Sequence, residues 1–194
     1  SGRGSLPNHA VLLGRPLNIL RHQIMIQGAV MLQRTEIFRG LSSEQIDEIL
    51  GIARPVKFPA GAVIMREGDV GDTMYTMMSG MVEVVKSLVI GELDDEQDAG
   101  KNKVFTRLDA KDHAVFGEIS LLEAQKRTAT IKAVTDCDLY ELSKDDFLQL
   151  AEGNYALGFR ILLNMARIVS TRLRKSDEET VKLTTALSII LKEL

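Results

Sequence analysis

Two residues of opposite charge, Glu118 and Arg127, stand nine positions apart in the stretch Phe116 to Ala133, which reads FGEISLLEAQKRTATIKA. Gly117 permits a tight backbone turn. Glu118 to Leu122 is a short run of helix formers whose free N–H groups would face back toward whatever precedes it, a place that favours an anion. Arg127, flanked by the small residues Thr128 and Ala129, brings a guanidinium able to grip two phosphate oxygens at once. A carboxylate repels phosphate, so Glu118 is better used as an acceptor for a hydroxyl such as a ribose 2'-OH. Together the two residues describe a pocket for a ribose phosphate. In the competing reading Glu118 and Arg127 pair with each other, but a buried ion pair returns in attraction about what it costs in desolvation. That pairing also leaves the neighbouring glycines unexplained.

The order FGE, an apolar pair, a spacer and then R-T-A-T closely resembles the phosphate-binding cassette of cyclic nucleotide-binding domains. Such domains occur in the catabolite activator protein, in regulatory subunits of cyclic-nucleotide-dependent kinases and in cyclic-nucleotide-gated channels. Upstream, Phe58-Pro59-Ala60-Gly61, Glu67-Gly68-Asp69 with Gly71-Asp72, Tyr75 and Ser79-Gly80 follow the family's order, so the resemblance covers roughly residues 36 to 175. It implies that Glu118 holds the ribose 2'-OH and Arg127 the cyclic phosphate of cAMP or cGMP. Phe116, Gly117 and the backbone around Ile119, Ser120 and Ala129 would complete the cradle. Thr128 suits either base, since its hydroxyl can bond a syn guanine and some adenine-preferring domains carry threonine there too. Lys126 departs from the proline common before this arginine, which adds positive potential and leaves the loop less fixed. Rough alignment to the bacterial activators places Ser176 and Asp177 where the C-terminal helix caps the base.

The elements that must position these residues follow from local patterns. Residues 1 to 15 have no sustained period and read as a tail. From Pro16, Leu17, Leu20, Ile24, Met31 and Leu32 recur at near-helical spacing, with Gly28 as a weak point, giving a helical arm up to about residue 35. Ser42 and Gln45 form a capping box, with Leu41 and Ile46 as its hydrophobic staple, so a helix should begin at Ser43 and stop near Gly51, before Pro55. From Val56 to Leu142 the period becomes that of short strands broken by glycine-rich turns. Both this pattern and the resemblance predict an α+β, mainly β chain: an antiparallel jelly-roll barrel (a double-stranded β-helix) over residues 36–150, with helices before and after it. Leu88 to Leu93 extends a hairpin, and the polar Asp94 to Asn102 is expected as its exposed tip.

Ser143 and Asp146 mark another helix start, which Gly153-Asn154 ends. From Tyr155 onward no proline interrupts, and a helix of some 35 residues is expected over residues 151–194, about 50 Å long. Along it Ser176, Thr180, Leu183, Leu187, Ile190 and Leu194 step by four and three, the alternation of a coiled-coil seam, so a parallel homodimer is expected.

Composition sets the outer limits. The 194 residues, 45% hydrophobic and 26% charged with net charge −3, suit an ordinary globular chain without the basic surface that DNA requires. One cysteine, Cys137, and three scattered histidines, 9, 22 and 113, offer neither a disulfide nor metal-ligand spacing. No stretch reaches the roughly 20 apolar residues of a membrane helix. A cytoplasmic chain without membrane or direct nucleic-acid contact is expected. The Ser-Gly start without Met suggests a processed end or a piece of a longer protein. With no activated nucleophile and no Walker-type loop, the pattern reads as a binding module rather than an enzyme. Three functions compete: a cyclic nucleotide sensor regulating a fused or separate partner, the sensory and dimerisation half of a catabolite-activator-like transcription regulator, and a dimerisation scaffold without ligand.

Overall fold

The computed structural model describes residue 26 and residues 28–87, 102–123 and 125–193. The predicted start of the helical arm and most of the predicted hairpin extension and tip lie outside these residues. The described part of the arm, residues 28–34, is helical (α1) and buries Leu32. Gly28 is no weak point here, because a β-carbon on it would stand 2.7 Å from the Tyr140 hydroxyl. A bare backbone lets the helix lie against that ring.

After a 3-10 turn, Glu36–Phe38, helix α2 spans Ser43–Ile52. The predicted capping box is formed: the Gln45 N–H donates to Ser42 Oγ and the Ser42 N–H donates to Gln45 Oε1. Among the described residues ten strands follow: β1 (Arg54–Phe58), β2 (Val63–Met65), β3 (Val70–Gly71), β4 (Thr73–Ser79), β5 (Met81–Ser87), β6 (Asn102–Asp109), β7 (Val115–Phe116), β8 (Gln125–Lys126), β9 (Thr130–Ala133) and β10 (Cys137–Ser143). They form two four-stranded sheets, β1-β10-β4-β7 and β2-β9-β5-β6, and the ribbon β3-β8, with antiparallel pairing throughout. Helices α3 (Lys144–Gly153) and α4 (Tyr155–Glu193) close the chain. Ser143 caps α3 as its sequence predicts, accepting from the Asp146 N–H, and Asn154 starts α4 by accepting from the Leu157 N–H.

Strand alternation divides the core in two. Met74, Tyr140 and Leu142 on one face of the first sheet pack with Ile46, Phe147, Leu157, Ile161 and Met165 from the helices. Tyr75, Met77 and Leu139 pack with Val82, Ile131 and Ala133 of the second sheet. The side-chain period of two thus makes the first sheet the wall shared by both clusters. A sharp turn joins β4 to β5 at Gly80, whose φ of 90° is open to glycine and whose β-carbon would lie 2.4 Å from the Asp136 carbonyl oxygen.

The edge pair β1–β10 carries an acid-sensitive contact. Lys57 Nζ lies 2.8 Å from an Asp138 oxygen and the Ser79 hydroxyl donates to the other at 2.9 Å. These bonds, the lysine's first, hold the Asp138 carboxyl below its ordinary value. A depressed carboxylate stabilises the fold above the unfolded pKa and ceases to do so as pH falls through the folded one. Thermal melts of wild type and Asp138→Asn should therefore differ most near neutral pH and converge below about pH 4. A difference that persisted unchanged at low pH would remove the charge from this account.

Candidate functional site

The hairpin-like approach of β3 to β8 builds the seat for Arg127. Val70 faces Lys126 and Gly71 faces Gln125 in the ribbon, and beyond it the Arg127 N–H donates to the Asp69 carbonyl at 2.7 Å. The Gly68 N–H returns a bond to the Arg127 carbonyl at 2.9 Å. Gly68, at φ 86°, makes the turn that allows this reciprocal pair. Inside, Arg127 Nη1 donates to the Thr73 carbonyl and to Ser120 Oγ, both at 2.8 Å, while Nη2 donates to Thr73 Oγ1 at 2.9 Å. The residue is 8% exposed. Among the described residues no carboxylate is paired with it. A buried guanidinium supported by neutral acceptors alone keeps an uncompensated positive charge, which an anion would relieve.

The carboxylate comes from the turn after β7. Gly117, at φ 75°, leads into a 3-10 turn, Glu118–Leu121. A β-carbon on Gly117 would lie 2.7 Å from Arg127 Nη1 and 2.8 Å from the Thr73 carbonyl, so the turn passes directly against the guanidinium. Glu118 is 2% exposed and does not pair with Arg127: Arg172 of α4 donates to its Oε1. The two charges of the cassette therefore have separate supports. The Ser120 N–H donates to the Gly117 carbonyl, 3.1 Å away, because a 3-10 turn closes over three residues, and the Ser120 hydroxyl accepts from Arg127.

Both side chains open on a cavity of about 400 Å³. The predicted residues Phe116 to Ser120 and Arg127 to Ala129 all line it. Val84, Leu108, Val115 and Ile131 supply an apolar wall, with Phe116 stacked on Tyr75 at a ring separation of 5.4 Å. Ser176 and Asp177, the predicted base-capping pair, are exposed on α4 and outside the lining; Arg172, one turn earlier, is the helix residue that reaches the cavity. Sequence reasoning also missed Thr73, for which a threonine following Gly71-Asp72 was the available signal. Among the described residues no group of three or more histidine, cysteine or acidic side chains is placed to hold a metal.

The buried Arg127, the buried Glu118 and the apolar wall line one cavity, and comparison with known proteins assigns the chain a family. The family model for the cyclic nucleotide-binding domain matches residues 55–154. The chain belongs to that family. Over 143 residues this cyclic nucleotide-binding domain is 29% identical to the cyclic AMP receptor protein of Thermus thermophilus, covering 74% of this chain and 59% of that protein. It is 32% identical over 127 residues to a cGMP-dependent protein kinase of Drosophila melanogaster, covering 66% of this chain and 10% of the kinase. Among solved structures, the Thermus thermophilus catabolite activator protein superposes with a TM-score of 0.65 at 29% identity, over 77% of this chain and 63% of the activator. The chain thus spans between a tenth and about three fifths of the length of these curated relatives.

The geometry at Gly71 makes it a probe of the seat. A β-carbon there would lie 2.1 Å from Arg127 Nε and 2.4 Å from Cζ. Gly71→Ala should push the guanidinium from its acceptors and cost about 1–3 kcal/mol in urea unfolding. Gly51→Ala, in α2 with open space around it, should stabilise by about 0.5 kcal/mol. Equal effects at both positions would contradict this picture of the site.

Proposed function

We propose that this domain binds cAMP or cGMP and converts occupancy into movement of its C-terminal helices, regulating a fused or separate partner in the cytoplasm. The observation that carries the reading is the buried Arg127 without a carboxylate partner. The cyclic phosphate would meet this guanidinium, the ribose 2'-OH would donate to Glu118, and the base would lie along the apolar wall beneath Arg172. The two facing sheets fit the jelly-roll barrel that the sequence pattern predicts. In this reading the module acts by binding.

A parallel homodimer through α4 belongs to the same proposal. The helix is 39 residues long, about 58 Å at 1.5 Å per residue. Its first half docks through Leu157, Ile161, Met165 and Ile168, whereas Leu173, Leu183, Leu187 and Ile190 are all more than half exposed. A long apolar row of this kind in water calls for a cover. The likeness to the Thermus activator favours a second reading, in which this domain is the sensory and dimerisation half of a transcription regulator. A winged helix-turn-helix following α4 in the whole protein would mark it.

Calorimetric titration with cAMP and cGMP, each against wild type and Arg127→Ala, tests the binding claim. Loss of a charge-assisted phosphate contact should weaken affinity at least roughly tenfold. A folded wild type giving no heat with either nucleotide would end the sensor reading and favour a scaffold or another phosphorylated ligand. Movement is tested separately by hydrogen exchange: saturating ligand should slow exchange in α4 around Arg172. Unchanged exchange throughout α3 and α4 would leave a binding module without this output.

A further inference from the structure

The polar groups on the cavity are not all committed within the chain. Arg127 donates to Ser120, Arg172 holds Glu118, and the Thr106 hydroxyl donates to the Arg107 carbonyl at 3.4 Å. Glu123 and Lys126, in the stretch between the 3-10 turn and Arg127, also line the cavity. Both are exposed, and among the described residues neither side chain is in an ion pair or a hydrogen bond. Only three positions apart, they leave each other unpaired.

An uncommitted carboxylate on a cavity that receives an anion needs a reason. It repels the incoming phosphate and works against Arg127. That cost is offset where the ligand turns N–H donors toward it. A carboxylate accepts and cannot donate, and an ammonium donates and cannot accept. The pair thus offers two acceptor oxygens and a separate donor, and neither group can reverse its polarity to suit a different ligand.

The two purines differ in this respect. Guanine carries the N2 amine and N1–H as adjacent donors, followed by O6 as an acceptor. Adenine has no N2 amine, a lone pair at N1 and the N6 amine in place of O6. Two parallel N–H groups match the two oxygens of Glu123, and O6 matches the Lys126 ammonium. Adenine would set its N1 lone pair against the carboxylate and its N6 amine against the ammonium, so that like meets like twice. The apolar wall of Val84, Leu108 and Ile131 has no side-chain hydrogen bond to give in return.

We propose that Glu123 and Lys126 make the cavity a cGMP site, the carboxylate taking N1–H and the N2 amine of guanine and the ammonium donating to O6. This rests on the reading of the cavity as a cyclic nucleotide site. Base choice then belongs to the cassette itself: one short stretch of chain would meet the ribose at Glu118, the base at Glu123 and Lys126, and the phosphate at Arg127.

Calorimetric titration of the full chain with cGMP, cAMP and cyclic IMP tests this. A well-placed bidentate pair discriminates by about 5- to 100-fold, so wild type should bind cGMP at least about fivefold tighter than cAMP. Cyclic IMP keeps N1–H and O6 but lacks the N2 amine, and its affinity should fall between the two. Glu123→Gln exchanges one acceptor oxygen for an amine and should lower the preference for cGMP over cAMP at least about threefold; Lys126→Met should lower it in the same direction. Both side chains are exposed, and a ratio of two affinities measured on one protein is not moved by a general loss of stability. Equal affinity of wild type for cGMP and cAMP, or tighter binding of cAMP, overturns the proposal and leaves the sensor reading standing. A cGMP preference unchanged in both variants places base choice elsewhere and overturns it too. If Lys126→Met weakens both nucleotides equally, the ammonium serves the phosphate and its part in base choice is overturned. A folded wild type that binds none of the three ends the sensor reading, and this inference with it.

Discussion

The structure turns on a cation that is kept buried without a counter-charge. Burying an isolated charge costs several kcal/mol unless hydrogen bonds and a partner offset it, and Arg127 has the hydrogen bonds and, among the described residues, no carboxylate partner. Three pieces of chain exist in their present form because of it. The turn at Gly68 clamps its backbone, Gly71 leaves room for its Nε, and Gly117 brings Ser120 within reach of its Nη1. Each substitution that adds a β-carbon to Gly71 or Gly117 meets the guanidinium before it meets anything else. The glycines therefore serve close approach as much as turning.

Helix α4 is where this site meets the rest of the molecule. Asn164, 3% exposed, donates to the carbonyls of Ile37 and Arg39, which fastens the docked half of the helix to the 3-10 turn before α2. Gly158 lies so near Ala151 that a β-carbon would approach to 2.7 Å, which lets α3 and α4 cross closely. Arg172 is the next fixed point along the helix, and it is fixed to the cassette rather than to the helical core. The helix thus has one attachment to the helical core and one to a residue that lines the cavity.

Much of this was legible in the sequence because the signals were local. The capping box at Ser42 and Gln45, the cap at Ser143 and the turn residues around Gly68 and Gly80 depend on neighbours a few positions away, and each is realised. Glu118 and Arg127 were legible for the same reason, as a short motif with its own glycine. What escaped was pairing over long separations. Glu118 was weighed only against Arg127, yet its cation comes from Arg172, 54 positions on, and Thr73 lies equally far from the arginine it supports. No periodicity encodes which side chain of a 39-residue helix will stand over a cavity. Only the folded helix shows that Arg172 lines the cavity of this chain while Ser176 and Asp177, one turn or about 5.4 Å further on, lie outside its lining.

The Glu118–Arg172 pair also sets the sign of the proposed response. Glu118 is buried, so its charge must be met by a cation whether or not the cavity is filled. A ribose hydroxyl donates a hydrogen bond and brings no charge. A cyclic phosphate brings a negative one into a cavity that Arg172 also lines. In the proposed response, occupancy would add an anion to this cavity without removing the carboxylate that Arg172 already holds, and the attraction between this point of α4 and the cassette would rise. A ligand of this kind would draw the helix inward; a neutral molecule filling the same apolar wall would not. Charge, rather than the mere filling of the cavity, would then be what the helix reports.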